Sequence, residues 1–206
     1  TATDATGNTS APTASTVDAQ APPAPVLAAS NGALVSGTAE AGAWVLLTDG
    51  SGNPIGQTQA DGNGDWSFLP GSPLGDGTVI NAVARDAAGN TGPQGTTQVD
   101  AQAPPAPTVN PTNGNVINGL AEPDSRIVLV DASGNPIGET TTSGSGHWSF
   151  TPPSPLPHGT VVNAVAIDAA GNASGPGSTL VDTSLPTIPQ VDPCLLYTSD
   201  AADDMQ

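Results

Sequence analysis

Residues Thr78–Asn90 read TVINAVARDAAGN, and Thr160–Asn172 read TVVNAVAIDAAGN. Setting the two copies side by side decides what the segment is. Arg85 in the first answers to Ile167 in the second. A position open to both a charged and an apolar side chain faces solvent. Side chains alternate across a strand with period two, which turns Ile80, Ala82 and Ala84 inward, and Val162, Ala164 and Ala166 with them. The segment therefore reads as a strand with one packed face, closed by an Asp-Ala-Ala-Gly-Asn turn. Ala43–Thr48 yields to the same comparison. Trp44 answers to Arg126 and faces out, so Val45 and Leu47, matching Ile127 and Leu129, face in.

The correspondence extends over most of the chain at a fixed spacing of 82 residues. VDAQAPPAP at Val17–Pro25 returns at Val99–Pro107. SGNPIG at Ser51–Gly56 returns at Ser133–Gly138, and Trp66-Ser67-Phe68 returns as Trp148-Ser149-Phe150. DATGN at Asp4 is an earlier copy of the two DAAGN turns. A fixed repeat of this kind means tandem structural units. The expected layout is the C-terminal strands of a truncated preceding repeat over 1–18, full repeats over 19–100 and 101–182, and a linker to a further repeat over 183–193. The Pro-Pro pairs lack backbone N–H groups and carry a fixed φ, so they read as a stiff extended joint between compact bodies.

Short apolar runs recur every 8–12 residues or so with turn residues between them, the pattern of an all-β sandwich. The first unit is expected to hold seven strands, near Ala24–Ala28, Ala33–Ala39, Ala43–Thr48, Pro54–Gln59, Asp65–Leu69, Thr78–Asp86 and Gly95–Val99. No stretch sustains a 3.6-residue period, so no helix is expected. Trp66 and Phe68 share one face and supply the largest buried area, as Trp148 and Phe150 do in the second unit. The fold class is all-β: tandem seven-stranded sandwiches.

After Pro193 the composition changes. Residues 194–206 hold the chain's single Cys, Tyr and Met. Cys194–Asp204 resembles one reading frame of a transposase-library sequencing adapter, so 194–206 is read as a non-native tail and left out of the fold argument. The chain as a whole is acidic: 19 Asp and Glu face 2 Arg and no Lys, for a net charge of −17. Such a surface repels nucleic acid and anionic membranes. No run of about 18 apolar residues is present.

The ensemble of motifs resembles the bacterial Ig-like repeats of large secreted surface adhesins. It consists of VD-x-x-AP-x-AP, G-x-AE, the SGNPIG hairpin, WSF and the DAAGN turn. The resemblance covers residues 1–193. It implies an Ig-like sandwich, an extracellular place on the bacterial surface, a part in adhesion or biofilm formation, and calcium at domain junctions in several such proteins. The expected function is thus a stalk or spacer of an adhesin, monomeric, with neighbouring repeats as its partners and an unidentified ligand. The alternative is a spacer or carbohydrate-binding accessory module of a secreted glycan-degrading enzyme.

No catalytic arrangement stands out. His147 and His158 occupy positions held by Asp65 and Asp76 in the first unit, as surface turn residues do. Gly62–Gly64 lies in a hairpin rather than between a strand and a helix. The chain is read as a non-enzyme. The acids are more informative. In a seven-stranded antiparallel unit, the incoming linker, the second loop and the last turn meet at one pole. Asp18, Glu40 and Asp86 fall there in the first unit, and Asp100, Glu122 and Asp168 in the second. Asp86 also has the inward parity of its strand, where an unpaired carboxylate is costly. Two readings remain. Each trio binds one Ca2+, which takes six to eight oxygens, or the aspartates cap their own turns.

Overall fold

The computed structural model describes residues 1–12 and 16–188. Each unit holds seven strands. In the first these are β1 (Val26–Leu27), β2 (Val35–Thr38), β3 (Trp44–Asp49), β4 (Pro54–Gln59), β5 (Asp65–Phe68), β6 (Val79–Arg85) and β7 (Thr91–Gln98). In the second they are β8 (Thr108–Val109), β9 (Ile117–Leu120), β10 (Arg126–Val130), β11 (Pro136–Thr141), β12 (His147–Phe150), β13 (Val161–Ile167) and β14 (Gly177–Leu180). The described residues contain no helix. Antiparallel pairing arranges the first unit as a sheet β1-β2-β5 and a sheet β4-β3-β6-β7, and the second unit repeats both.

The inward faces are those that alternation assigns. Val45, Leu47, Ile80, Ala82 and Ala84 are buried, as are Ile127, Leu129, Val162, Ala164 and Ala166. Trp66 and Trp148 lie in the two cores at 4% and 3% exposure, with Phe68 and Phe150 packed beside them. The pairing of SGNPIG with WSF has a steric cause. A Cβ on Gly56 would meet the ring of Phe68, and one on Gly138 the ring of Phe150. Glycine is required there because an aromatic ring passes over the backbone of β4 or β11.

Two expectations need correction. The last strand of the first unit begins at Thr91, not Gly95. A register shift between Val83 and Arg85 interrupts the β6–β7 ladder, and β7 is an edge strand. Pro93 is tolerated at such a place because its missing N–H costs no regular ladder bond. The prolines of VDAQAPPAP are also not a stiff joint standing between the two bodies, but part of the second of them. Pro22, Pro25, Pro104 and Pro107 are buried. A Cβ on Gly92 or Gly95 would meet the carbonyl of Pro22 or Pro25, and one on Gly177 that of Pro107. The Pro-rich segment is thus the first layer of its own sandwich, laid against the glycines of the last strand. Residues 189–206, with the tail and the last five residues of the terminal linker, fall outside the described residues.

Candidate junction site

The pole that receives the incoming chain is built from a turn whose geometry recurs. In the second unit the Asp168 carboxylate accepts from the Asn172 backbone N–H at 2.9 Å and from Asn172 Nδ2 at 2.8 Å. In the first, Asp86 accepts from the same two groups of Asn90, each at 2.8 Å. Asn90 holds the Asp86 carboxyl below the usual carboxylate range, mainly through its side-chain amide and against desolvation. An aspartate that accepts from amides of its own turn stabilises the bend and keeps its charge. Asp4 with Asn8, Asp49 with Asn53 and Asp131 with Asn135 make the same pairing.

At the junction pole the asparagine has a second role. Asn172 Nδ2 also donates to the main-chain oxygen of Asp100 at 2.8 Å. Asn90 Nδ2 reaches the carbonyls of Asp18 at 3.1 Å and Gln20 at 3.3 Å. Asn53 and Asn135, at the opposite end of the sandwich, cap their turns without touching a linker.

The other side of the junction is bonded as well. The Asp100 N–H donates to the carbonyl of Ser30 at 3.0 Å. Asp76 accepts from the Ala101 N–H at 2.9 Å and from Gln102 Nε2 at 3.1 Å, and the first of these is the main cause of its lowered pKa. Asp100 Oδ1 accepts from the Gln102 N–H at 3.0 Å. The Asp100 residue is therefore held by the first unit through its N–H and by the second through its carbonyl. At the far pole of the second unit Asp182 N–H donates to Thr112 O at 2.9 Å, and His158 Nδ1 accepts from the Thr183 N–H at 3.1 Å in the place of Asp76.

The six acids thus separate by role. Asp86 and Asp168 are half-buried turn caps. Asp18 and Asp100 are exposed and bond the amides two residues on. Glu40 and Glu122 are exposed, and their hydrogen bonds here run through main-chain oxygens: Ala43 N–H to Glu40 O at 3.0 Å, Thr142 Oγ1 to Glu122 O at 2.7 Å. Among the described residues no group of three or more His, Cys, Asp or Glu side chains is placed to hold a metal ion. The donor set does not form a ready cage. Each inward carboxylate is already shared between two N–H donors, and the glutamates do not converge on it. The residues that sequence reasoning passed over are Asn90, Asn172 and Asp76. The fixed Asp-to-Asn spacing of four was the available signal for the asparagines. Asp76 had none, because the second unit carries His158 there.

A family model described as bacterial Ig domain matches residues 21–101 and again 103–182. No curated protein matches the chain. Among solved structures, the chain is similar to the BSP domain of a biofilm associated protein, at 21% identity over 79% of this chain and 30% of that one, with a TM-score of 0.36. It is similar to a 1.5-MDa bacterial ice-binding adhesin at 23% identity, covering 71% of this chain and 56% of that one, with a TM-score of 0.29. It is also similar to the FN1–FN3 domains of chicken CNTN1 at 14% identity, covering 78% and 66%, with a TM-score of 0.45.

Proposed function

The chain belongs to the bacterial Ig domain family, and from that premise we propose that it is a spacer segment of a bacterial surface adhesin, outside the cell, whose repeats add reach rather than chemistry. The observation that carries this reading is the Asp100 residue, bonded by Ser30 of one unit and Asn172 of the next. A joint with bonds on both sides and no free linker residues between them transmits direction from one repeat to the next. A stalk needs that, and a flexible string of domains does not have it. The proline layer adds to it by pinning the segment after the joint to the second sandwich.

The longest strands, of seven and eight residues, span roughly 23–26 Å at about 3.3 Å per residue, so with its turns and linker each repeat adds about 40 Å of length. Small-angle scattering on the chain is expected to give a maximum dimension close to two repeats end to end. A profile of two sandwiches folded side by side refutes the spacer reading.

Calcium enters this proposal as an addition to the joint and not as its basis. What supports it is the charge of −17 and the acids that share each pole. Binding would require Glu122 to fold toward Asp168 and Asp100. Calorimetric titration of calcium chloride decides it, with an expected Kd on the order of 0.1–1 mM, the range of extracellular modules. No heat up to about 10 mM, or heat that Asp168→Asn leaves unchanged, removes the ion and leaves the joint to its hydrogen bonds.

A further inference from the structure

We infer that the outward face of the first sandwich carries a saccharide-binding site, built on Trp44 and Arg85, for a sugar that bears a carboxylate. This goes beyond the spacer reading and stands on a difference between two otherwise matched units. In the second unit, Arg126 on β10 pairs with Glu139 on β11, Nη1 to Oε2 at 3.0 Å, and the face is internally neutralised. The first unit puts Trp44 in place of Arg126 and Gln57 in place of Glu139. Its cation moves one strand over, to Arg85 on β6, directly opposite Trp44 in the β3–β6 register.

Arg85 makes no ion pair among the described residues. The ion pairs of the described residues are Arg126–Glu139 and His158–Asp182. Asp86, next in the chain, has the opposite parity and gives its oxygens to Asn90. The Arg85 guanidinium instead lies over the DAAGN turn, with Nη2 3.5 Å from where a Cβ on Gly89 would stand. Between turn and indole is an open cleft of about 420 Å³ lined by Trp44, Leu46, Gln57 and Arg85 on the strands and by Asp86 and the residues after it on the turn; the Asp86 oxygens there are taken up by Asn90. Trp44 is 44% exposed.

An exposed aromatic plane, a free guanidinium and a primary amide around one cleft match a pyranose acid. The apolar C–H face of the ring stacks on the indole. The carboxylate takes the two parallel N–H donors of Arg85, a geometry for which guanidinium is suited. The Gln57 amide serves a ring hydroxyl. A long polyanion such as nucleic acid, which would lay many charges along the acidic surface, is disfavoured by the charge of the chain, whereas a short acidic saccharide sets one carboxylate on the local cation and leaves its other groups in solvent. The competing account is that Trp44 and Arg85 form only a cross-strand cation–π pair.

Isothermal titration of the full chain with trigalacturonate, and with its methyl ester as the uncharged counterpart, separates the two accounts. Trp66 and Trp148 are buried, so a change in tryptophan emission on titration reports on Trp44. The site predicts saturable binding of trigalacturonate in the millimolar range or tighter, and binding of the ester weaker by about tenfold. Trp44→Ala abolishes binding with the melting temperature retained. Arg85→Ile, the residue the second unit uses, makes acid and ester equal. Arg126→Gln changes nothing. No saturable response to trigalacturonate or to sialyllactose overturns the proposal, and so does binding retained in Trp44→Ala. Equal binding of acid and ester by the unaltered chain overturns the role of Arg85.

Discussion

Replacing Asn172 with alanine tests the joint directly. The Asn172 amide donates to the charged Asp168 Oδ2 and to the Asp100 carbonyl, both at 2.8 Å. A hydrogen bond to a charged group contributes about 1.5–3 kcal/mol and a neutral one about 0.5–1.5 kcal/mol, with the pole's partial exposure favouring the low ends. Asn135→Ala is the matched control, since Asn135 Nδ2 makes the same bond to Asp131 Oδ2 at 2.8 Å but touches no linker. The linker bond is then the difference between the variants, about 1 kcal/mol. For a domain of this size that is a further 4–8 °C or so in Tm. Differential scanning calorimetry in the presence of a chelator measures it without any contribution from calcium. Scattering on the same samples is expected to show a wider spread of interdomain distances for Asn172→Ala alone. If the two variants melt together and scatter alike, the Asp100 bond does not hold the units in line.

Three other outcomes are expected. Trp148→Ala empties the centre of the second core and should cost about 3–5 kcal/mol, enough to split the melting of the chain into two transitions, the first unit keeping its own. Asp124→Gly should stabilise the second unit by about 1 kcal/mol. Asp124 is the one non-glycine with positive φ among the described residues, at 60°, and the first unit puts Gly42 at that position with φ 79°. Acid should destabilise both units. The carboxyls of Asp49, Asp76, Asp86 and Asp131 are held below their ordinary value by hydrogen bonds within their turns or to the linker. A depressed folded pKa contributes stability above the unfolded value, about 3.9, and that stability is lost as pH falls through the folded value. Tm is therefore flat from neutral pH down to the upper end of the carboxylate range and drops below it, with a shallower acid drop in Asp131→Asn.

Much of the fold was legible in the sequence, because strands and turns answer to local rules. Period-two alternation in Thr78–Asp86 identified the buried face. The exchange of Trp44 for Arg126 identified the exposed one. The turn residues marked where strands end, since Gly and Asn tolerate the backbone that a reversal needs. The two copies sharpened each inference by showing which positions vary. The repeat also marked the pole where linker and turn acids gather.

The tertiary structure alone decided what meets at that pole. Asn172 and Asp100 are 72 residues apart, and nothing local to DAAGN says that its amide will reach a linker carbonyl. The same turn chemistry at Asp131–Asn135 reaches none. Pro-Pro reads locally as a stiff extended joint. It became the first layer of a sandwich because glycines of the last strand, about 70 residues further on, leave room for its carbonyls. Trp44 and Arg85 were each legible as exposed, yet their position opposite one another depends on the β3–β6 register. Alternation sets which face a side chain takes. Which partner it faces follows from long-range pairing, and the packing of the whole sandwich determines that.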